Sequence, residues 1–176
     1  MNLLLRCLLV WLSTFVRKRL KILEPSVLSL TVLPNDLDIY GHMNNGRYLT
    51  VMDLGRFDFI LRSGLGRLAR EKAWNPLVAS AVIRYRRPLF LFQNYRLVTR
   101  VTGWDTRWIY IEQRFERDGH LLAVGLIKGL FYGKSGRVST HEVLNVLSPG
   151  ICSPDIPKVV SSWRELESHL PRGEKN

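Results

Sequence analysis

The stretch PNDLDIYGHMNNGRYL, from Pro34 to Leu49, places two carboxylates, a glycine, a histidine and two adjacent amides directly ahead of an apolar segment. A turn can be built from simpler residues, so polar groups concentrated in one loop call for a reason. The residues on either side show what the loop connects. Upstream, Ser26 to Leu33 (SVLSLTVL) is rich in branched side chains and ends at Pro34, the pattern of a strand feeding a loop. Downstream the spacing predicts a helix that Asn44 caps and Gly64 ends. At about 100° per residue its apolar side chains (Tyr48, Leu49, Val51, Met52, Leu54, Phe57, Phe59, Ile60, Leu61) point almost all round the axis. Such a helix is buried on most sides rather than laid on a surface.

Beyond that helix the period becomes extended. Leu77 to Tyr85, Tyr95 to Trp104, Trp108 to Glu116 and His120 to Tyr132 read as strands. Between them lie short turn signals at Arg87-Pro88, Asp105-Thr106 and Asp118-Gly119, the last a strong two-residue hairpin signal. Short turns imply an antiparallel meander. Pro149, Pro154 and Pro157 then mark a linker, and Val159, Val160, Trp163, Leu166 and Leu170 have the spacing of an amphipathic helix. One strand, one buried helix and a run of strands give an α+β fold, a curved antiparallel sheet wrapped around a central helix. Three regions follow: an apolar and basic segment over 1–24, the main domain over 25–147, and a linker with terminal helix over 148–176.

With 176 residues, 46% of them hydrophobic, the chain can bury the core of one domain. The 26 Lys and Arg against 15 Asp and Glu give a formal charge of +11, which favours anionic neighbours: nucleic acid, anionic lipid or a phosphate-bearing small molecule. No helix-turn-helix, zinc or single-strand-binding signature accompanies that charge, so nucleic acid is not expected. Cys7 and Cys152 stand far apart, in no metal-ligand spacing, which speaks for a reducing compartment with neither disulfide framework nor metal. In the segment MNLLLRCLLVWLSTFVRKRLK the apolar run is broken by Arg6 and is too short for a bilayer core of about 30 Å. Its basic residues Arg17, Lys18, Arg19 and Lys21 follow the apolar run, the reverse of a secretory signal. That order suits a helix on an anionic membrane surface with the body cytoplasmic; the other reading is a helix packed on the domain or on a dimer partner.

The segment Asp36-Leu-Asp38-Ile-Tyr-Gly41-His42-Met-Asn44-Asn45-Gly-Arg-Tyr48 resembles the D-x-D-x-x-G-H-x-N-N-x-x-Y signature of hot-dog thioesterases of the 4-hydroxybenzoyl-CoA thioesterase type. The stretch from Leu33 to about Thr140, including Gly103-Trp104-Asp105, is also similar to the branch called thioesterase superfamily member six. The resemblance implies a hot-dog fold, a metal- and cofactor-free thioester hydrolase, an acyl-CoA or acyl-carrier substrate, and a homodimer or homotetramer with the acyl site between subunits. It assigns Asp38 as nucleophile or as general base for water, and Asn45 as the backbone N–H that polarises the carbonyl. The physics agrees, because the first amides of a helix lack partners and carry partial positive charge where an oxyanion would develop.

Other residues of the loop have simpler expected roles. Asp36 closes a turn and Asn44 caps the helix. Gly41 lets backbone approach a thioester, and His42 is a packed loop residue or orients substrate. Asp53, inside the helix, is expected to need a structural partner such as Arg56 or another chain, with an assisting carboxylate as the alternative. Arg84, Arg86 and Arg87 end a strand, where they meet the phosphates of coenzyme A or simply keep a sheet edge solvated. Two further functions compete: a catalytically silent acyl- or lipid-binding protein at a membrane, and a hot-dog hydratase. The second lacks the Asn-Pro element and the Asp-to-His spacing that mark that group.

Overall fold

The central helix dictates the architecture, which comes from a computed structural model describing residues 3–171. Helix α2 spans Asn45–Arg62, and Asn44 caps it by accepting the Gly46 N–H at 2.8 Å. Gly64, at φ +84°, breaks the helical run two residues beyond it. Tyr48, Val51, Met52, Leu54 and Phe59 of α2 are all buried. They lie in the curve of an antiparallel sheet formed by β1 (Ser26–Thr31), β2 (Asn75–Tyr85), β3 (Asn94–Trp104), β4 (Ile109–Arg117) and β5 (His120–Gly133), in the order β1-β3-β4-β5-β2. A short β6 (Gly136–Val138) folds back on β5.

The close approach of helix and sheet depends on Gly55. A Cβ there would lie 2.5 Å from Thr99 Oγ1 and 2.7 Å from Gln113 Nε2. Gln113, fully buried on β4, donates to the Met52 carbonyl and to Thr99 Oγ1 and accepts from Arg56. A buried amide is tolerable when each of its groups has a partner, and this one is satisfied on both sides. Asp58, also fully buried, accepts from Arg17 at 2.7 Å, Arg62 at 3.1 Å and Ser26 Oγ, so it ties β1 and the basic segment to α2.

The Asp118-Gly119 hairpin is as expected, with both residues at positive φ. The meander is only partly as expected. Strands β3, β4 and β5 follow one another, but β2 pairs with β5 at the far edge and not with β3. The Arg87-Pro88 signal is therefore no hairpin: residues 86–93 cross over two strands to reach β3. Hydrophobic alternation fixes which face of a strand is buried but not its neighbour, which is why the sequence pattern missed this. Helices α3 (Leu65–Lys72) and α4 (Thr140–Leu147) were also unexpected, each being only eight residues long and so too short for a clear period. The expected terminal helix is α5 (Lys158–Ser168), whose Val160 and Trp163 cover Tyr110 and Leu126 on the outer face of the sheet.

At the other end, α1 (Leu3–Ser13) buries Arg6 and Val10 against the domain. Its opposite side exposes Leu4, Leu5, Leu8, Leu9 and Leu12. Among the described residues no helix is long and apolar enough to cross a membrane.

Candidate active site

The loop ahead of α2 is a miniature hairpin. Asp38 N–H donates to the His42 carbonyl at 3.0 Å, and Gly41 N–H donates to the Asp38 carbonyl at 3.1 Å. Gly41 turns the chain at φ +76°, a region costly for a side-chain-bearing residue. The returning arm is pinned by the crossover, because Met43 N–H donates to the Leu89 carbonyl at 2.7 Å and His42 bridges Phe90. Within this frame the Asp38 carboxylate is largely shielded, 17% exposed. Its Oδ1 accepts the Tyr40 N–H at 2.9 Å, and its Oδ2 lies 3.3 Å from Nδ1 of His42, whose ring stacks on Tyr40.

The base of the hairpin is locked by Asp36. Its carboxylate closes the turn by accepting the Leu33 N–H, and it also receives Arg6 at 2.5 Å and Arg47 at 3.0 Å. Its backbone carbonyl accepts the Asn44 N–H at 2.8 Å. Burial pushes the Asp36 pKa up, but the Leu33 N–H and the two guanidiniums outweigh it and hold the carboxyl below its ordinary value. One carboxylate thus fixes α1, the loop and the first turn of α2 relative to one another. Arg6 stands 30 residues away in sequence, so nothing local in the chain announced the pairing.

At the start of α2 the Gly46 N–H is consumed by the Asn44 cap. The Asn45 N–H has no acceptor among the described residues, and Asn45 is exposed. Its carbonyl accepts the Tyr85 hydroxyl at 2.8 Å, while the Tyr85 ring meets the buried Tyr48 edge-on at 5.1 Å. No residue expectation singled out Tyr85. The available signal was its place beside Arg84 and Arg86 at the end of a strand, which does not reveal a contact with a helix.

Arg84, Arg86 and Arg87 are all exposed, and their guanidiniums form no ion pair among the described residues. They stand where β2 runs into the crossover that holds the loop. Asp53 pairs with Arg56, the partner expected of it, and is 59% exposed. Among the described residues no group of His, Cys, Asp and Glu could hold a metal ion. A separate, largely apolar groove of about 320 Å³ opens to solvent between α2, β2 and β5, with Phe57, Ile60, Leu77, Val78, Ile127 and Gly129 in its walls together with the paired Asp53 and Arg56. Asp38 and Asn45 are not part of its lining.

A sheet curved around a capped helix, with a shielded carboxylate in the loop before the cap, is the hot-dog arrangement. The chain belongs to the thioesterase-like superfamily, which it matches over residues 32–164. Protein THEM6 of Xenopus laevis is 36% identical over 134 residues, covering 75% of this chain and 63% of that protein. Protein THEM6 of Danio rerio is 36% identical over 145 residues, covering 81% and 70%. This chain thus spans less than two thirds of the Xenopus protein's length. The crystal structure of the probable thioesterase YbaW from Escherichia coli shares the fold, with a TM-score of 0.65 at 22% identity over 70% of this chain and 96% of that one.

Proposed function

We propose that the chain hydrolyses acyl-CoA thioesters without a metal, using the Asp38 carboxylate and the N-terminus of α2. The observation that carries this reading is the Asn45 N–H, free of any acceptor among the described residues, at the positive end of a helix whose preceding loop holds a shielded carboxylate. A carbonyl oxygen accepting that N–H gains most as it becomes an oxyanion, because the donor is already fixed in place. Asp38 then either attacks the carbonyl carbon or takes a proton from water that attacks it. The C–S bond breaks, coenzyme A leaves as thiolate and is protonated, and water supplies the hydroxyl of the carboxylic acid. His42, against Asp38 Oδ2, orients the carboxylate. Gly41 leaves room for the thioester, and the unpaired Arg84, Arg86 and Arg87 meet coenzyme A phosphates.

A homodimer fits this reading. Strand β2 has β5 on one side and, among the described residues, no strand on the other. It exposes Leu77, Val78, Val82 and Tyr85, between 38% and 49% each. An edge this long and apolar is a template for pairing with a second copy.

Asp38→Asn tests the chemistry. With the loop's hydrogen bonds preserved, kcat for acyl-CoA hydrolysis is expected to fall at least about 100-fold with the melting temperature nearly unchanged. Activity that survives the change removes the mechanism. A second reading, a silent acyl-binding protein on an anionic membrane, is favoured by the apolar outer side of α1, followed by Lys18, Arg19 and Lys21. Sedimentation with phosphatidylserine vesicles, lost in Leu8→Glu/Leu12→Glu, together with no hydrolysis by the unmodified protein, would select it.

A further inference from the structure

The two edges of the sheet are not alike. Like β2, strand β1 has a neighbour on one side only, β3, and no further strand among the described residues. Just past β1 the Val32 N–H donates to the Gln93 carbonyl, which sets the phase of the ladder. Even-numbered residues of β1 bond to β3, and the backbone N–H and C=O groups of Val27, Ser29 and Thr31 turn to the free edge. Two of those three carbonyls are taken by arginines of the N-terminal segment. Arg17 Nη2 donates to the Val27 carbonyl at 2.5 Å, and Arg6 Nη2 donates to the Thr31 carbonyl at 3.3 Å.

The composition of β1 makes this edge hazardous when bare. From Ser26 to Leu33 the chain has no charged residue, no proline and no glycine, the makeup of a segment that pairs with strands of its own kind. Edge strands commonly protect themselves with a lysine, a proline or a bulge. Strand β1 has none of these, and its pairing with β3 runs from Ser26 to Thr31 without a register shift. Its guard comes from elsewhere in the chain. Each arginine is anchored by a fully buried carboxylate, Arg6 by Asp36 and Arg17 by Asp58. The segment carrying Arg17 is tied down again where Arg62 donates to the Lys18 carbonyl and accepts the Leu20 N–H. An incoming strand would have to displace both guanidiniums from the carbonyls and bury their charge.

We infer that Arg6 and Arg17 seal the β1 edge against a second copy of the chain, so that edge-to-edge assembly ends at two copies joined through β2. With both edges open, pairing through β1 and β2 in turn would not close, and copies would add without limit. The statement about β2 rests on the dimer proposed above, whereas the seal on β1 does not.

The test is light scattering of the full chain in a Val82→Lys background, where a charge closes the β2 edge and leaves β1 to be read alone. Arg17 is 27% exposed and its loss leaves Asp58 with Arg62 and Ser26, so Arg17→Ala is a change the fold can absorb. Arg17→Met, which keeps the aliphatic stem, serves if Arg17→Ala does not fold. Val82→Lys alone is expected at monomer mass and the double variant at twice that mass, while Arg17→Ala alone should grow beyond two copies. Hydrogen exchange shows which edge is used: the Val27, Ser29 and Thr31 amides should slow at least about tenfold when the double variant associates. A folded double variant that stays monomeric overturns the seal, as does one that associates without protecting these amides. An unmodified protein that is itself monomeric, with a double variant that pairs through β1, supports the seal and removes only the β2 dimer. A Val82→Lys protein still paired, with those amides already protected, shows an open β1 edge and overturns the inference.

Discussion

At the scale of single residues, Asp36 and Tyr85 hold the proposed catalytic groups in place. Asp36→Asn strands the buried Arg6 beside a neutral amide, and urea titration should show a loss of roughly 3–5 kcal/mol. Because the folded carboxyl titrates below its unfolded value of about 3.9, its contribution is fully present above that pH. It is lost as pH falls through the lower folded value, so stability below pH ~4 should drop in the unmodified protein and flatten in Asp36→Asn. Tyr85→Phe removes only the hydroxyl that fixes the Asn45 carbonyl. A positioning role predicts kcat lower by about tenfold with KM and melting temperature little changed, whereas a packing role alone leaves kcat intact. The sequence singled out Asp38 because position and motif agreed. It did not disclose the full role of Asp36 or the existence of the Asp58 cluster, since Arg6, Arg17 and Ser26 reach those carboxylates only after the chain has folded back.

At the scale of elements, the contact between α2 and the sheet is the most demanding. Gly55→Val drives a branched side chain into Thr99, Gln113 and Leu97, and thermal or denaturant unfolding should show a loss of at least about 1–3 kcal/mol. Helix α2 was legible because it is long and apolar around its circumference, and β3 to β5 because their turns are short. The route from β2 to β3 was not, although it matters most for the site: the crossover supplies Leu89 and Phe90 to the loop and carries Arg86 and Arg87. The Gly103-Trp104-Asp105 triplet has its explanation at this scale too. Gly103 lies against Pro154 and Ile156, Trp104 N–H donates to Ser153 Oγ, and Asp105 pairs with Arg164. The triplet is the seat of the C-terminal segment on the outer face of the sheet.

At the scale of the whole molecule, the exposed edge of β2 and the charge of +11 are the features that look outward. Val82→Lys puts a charge on that edge and is expected to convert the proposed dimer to a monomer, read by light scattering. Hydrolysis should fall with it if the acyl site is completed between subunits, and a monomer of full activity removes that part of the proposal. The outer side of α1 adds an apolar surface next to a basic segment, while its inner side is locked to the loop before α2 through Arg6. Whatever holds α1 therefore also bears on the loop.

The chain by itself determined the elements with strong local periods, the cap at Asn44 and the polar residues gathered before the helix, because these follow from neighbours along the backbone. Tertiary structure alone decided that β2 lies beside β5, that Asp36 and Asp58 are buried hubs of arginines, that Tyr85 reaches Asn45, and that Gly129 borders an open apolar groove. Each of these joins groups distant in sequence, and hydrophobic patterning fixes which face turns inward without fixing what it will meet there.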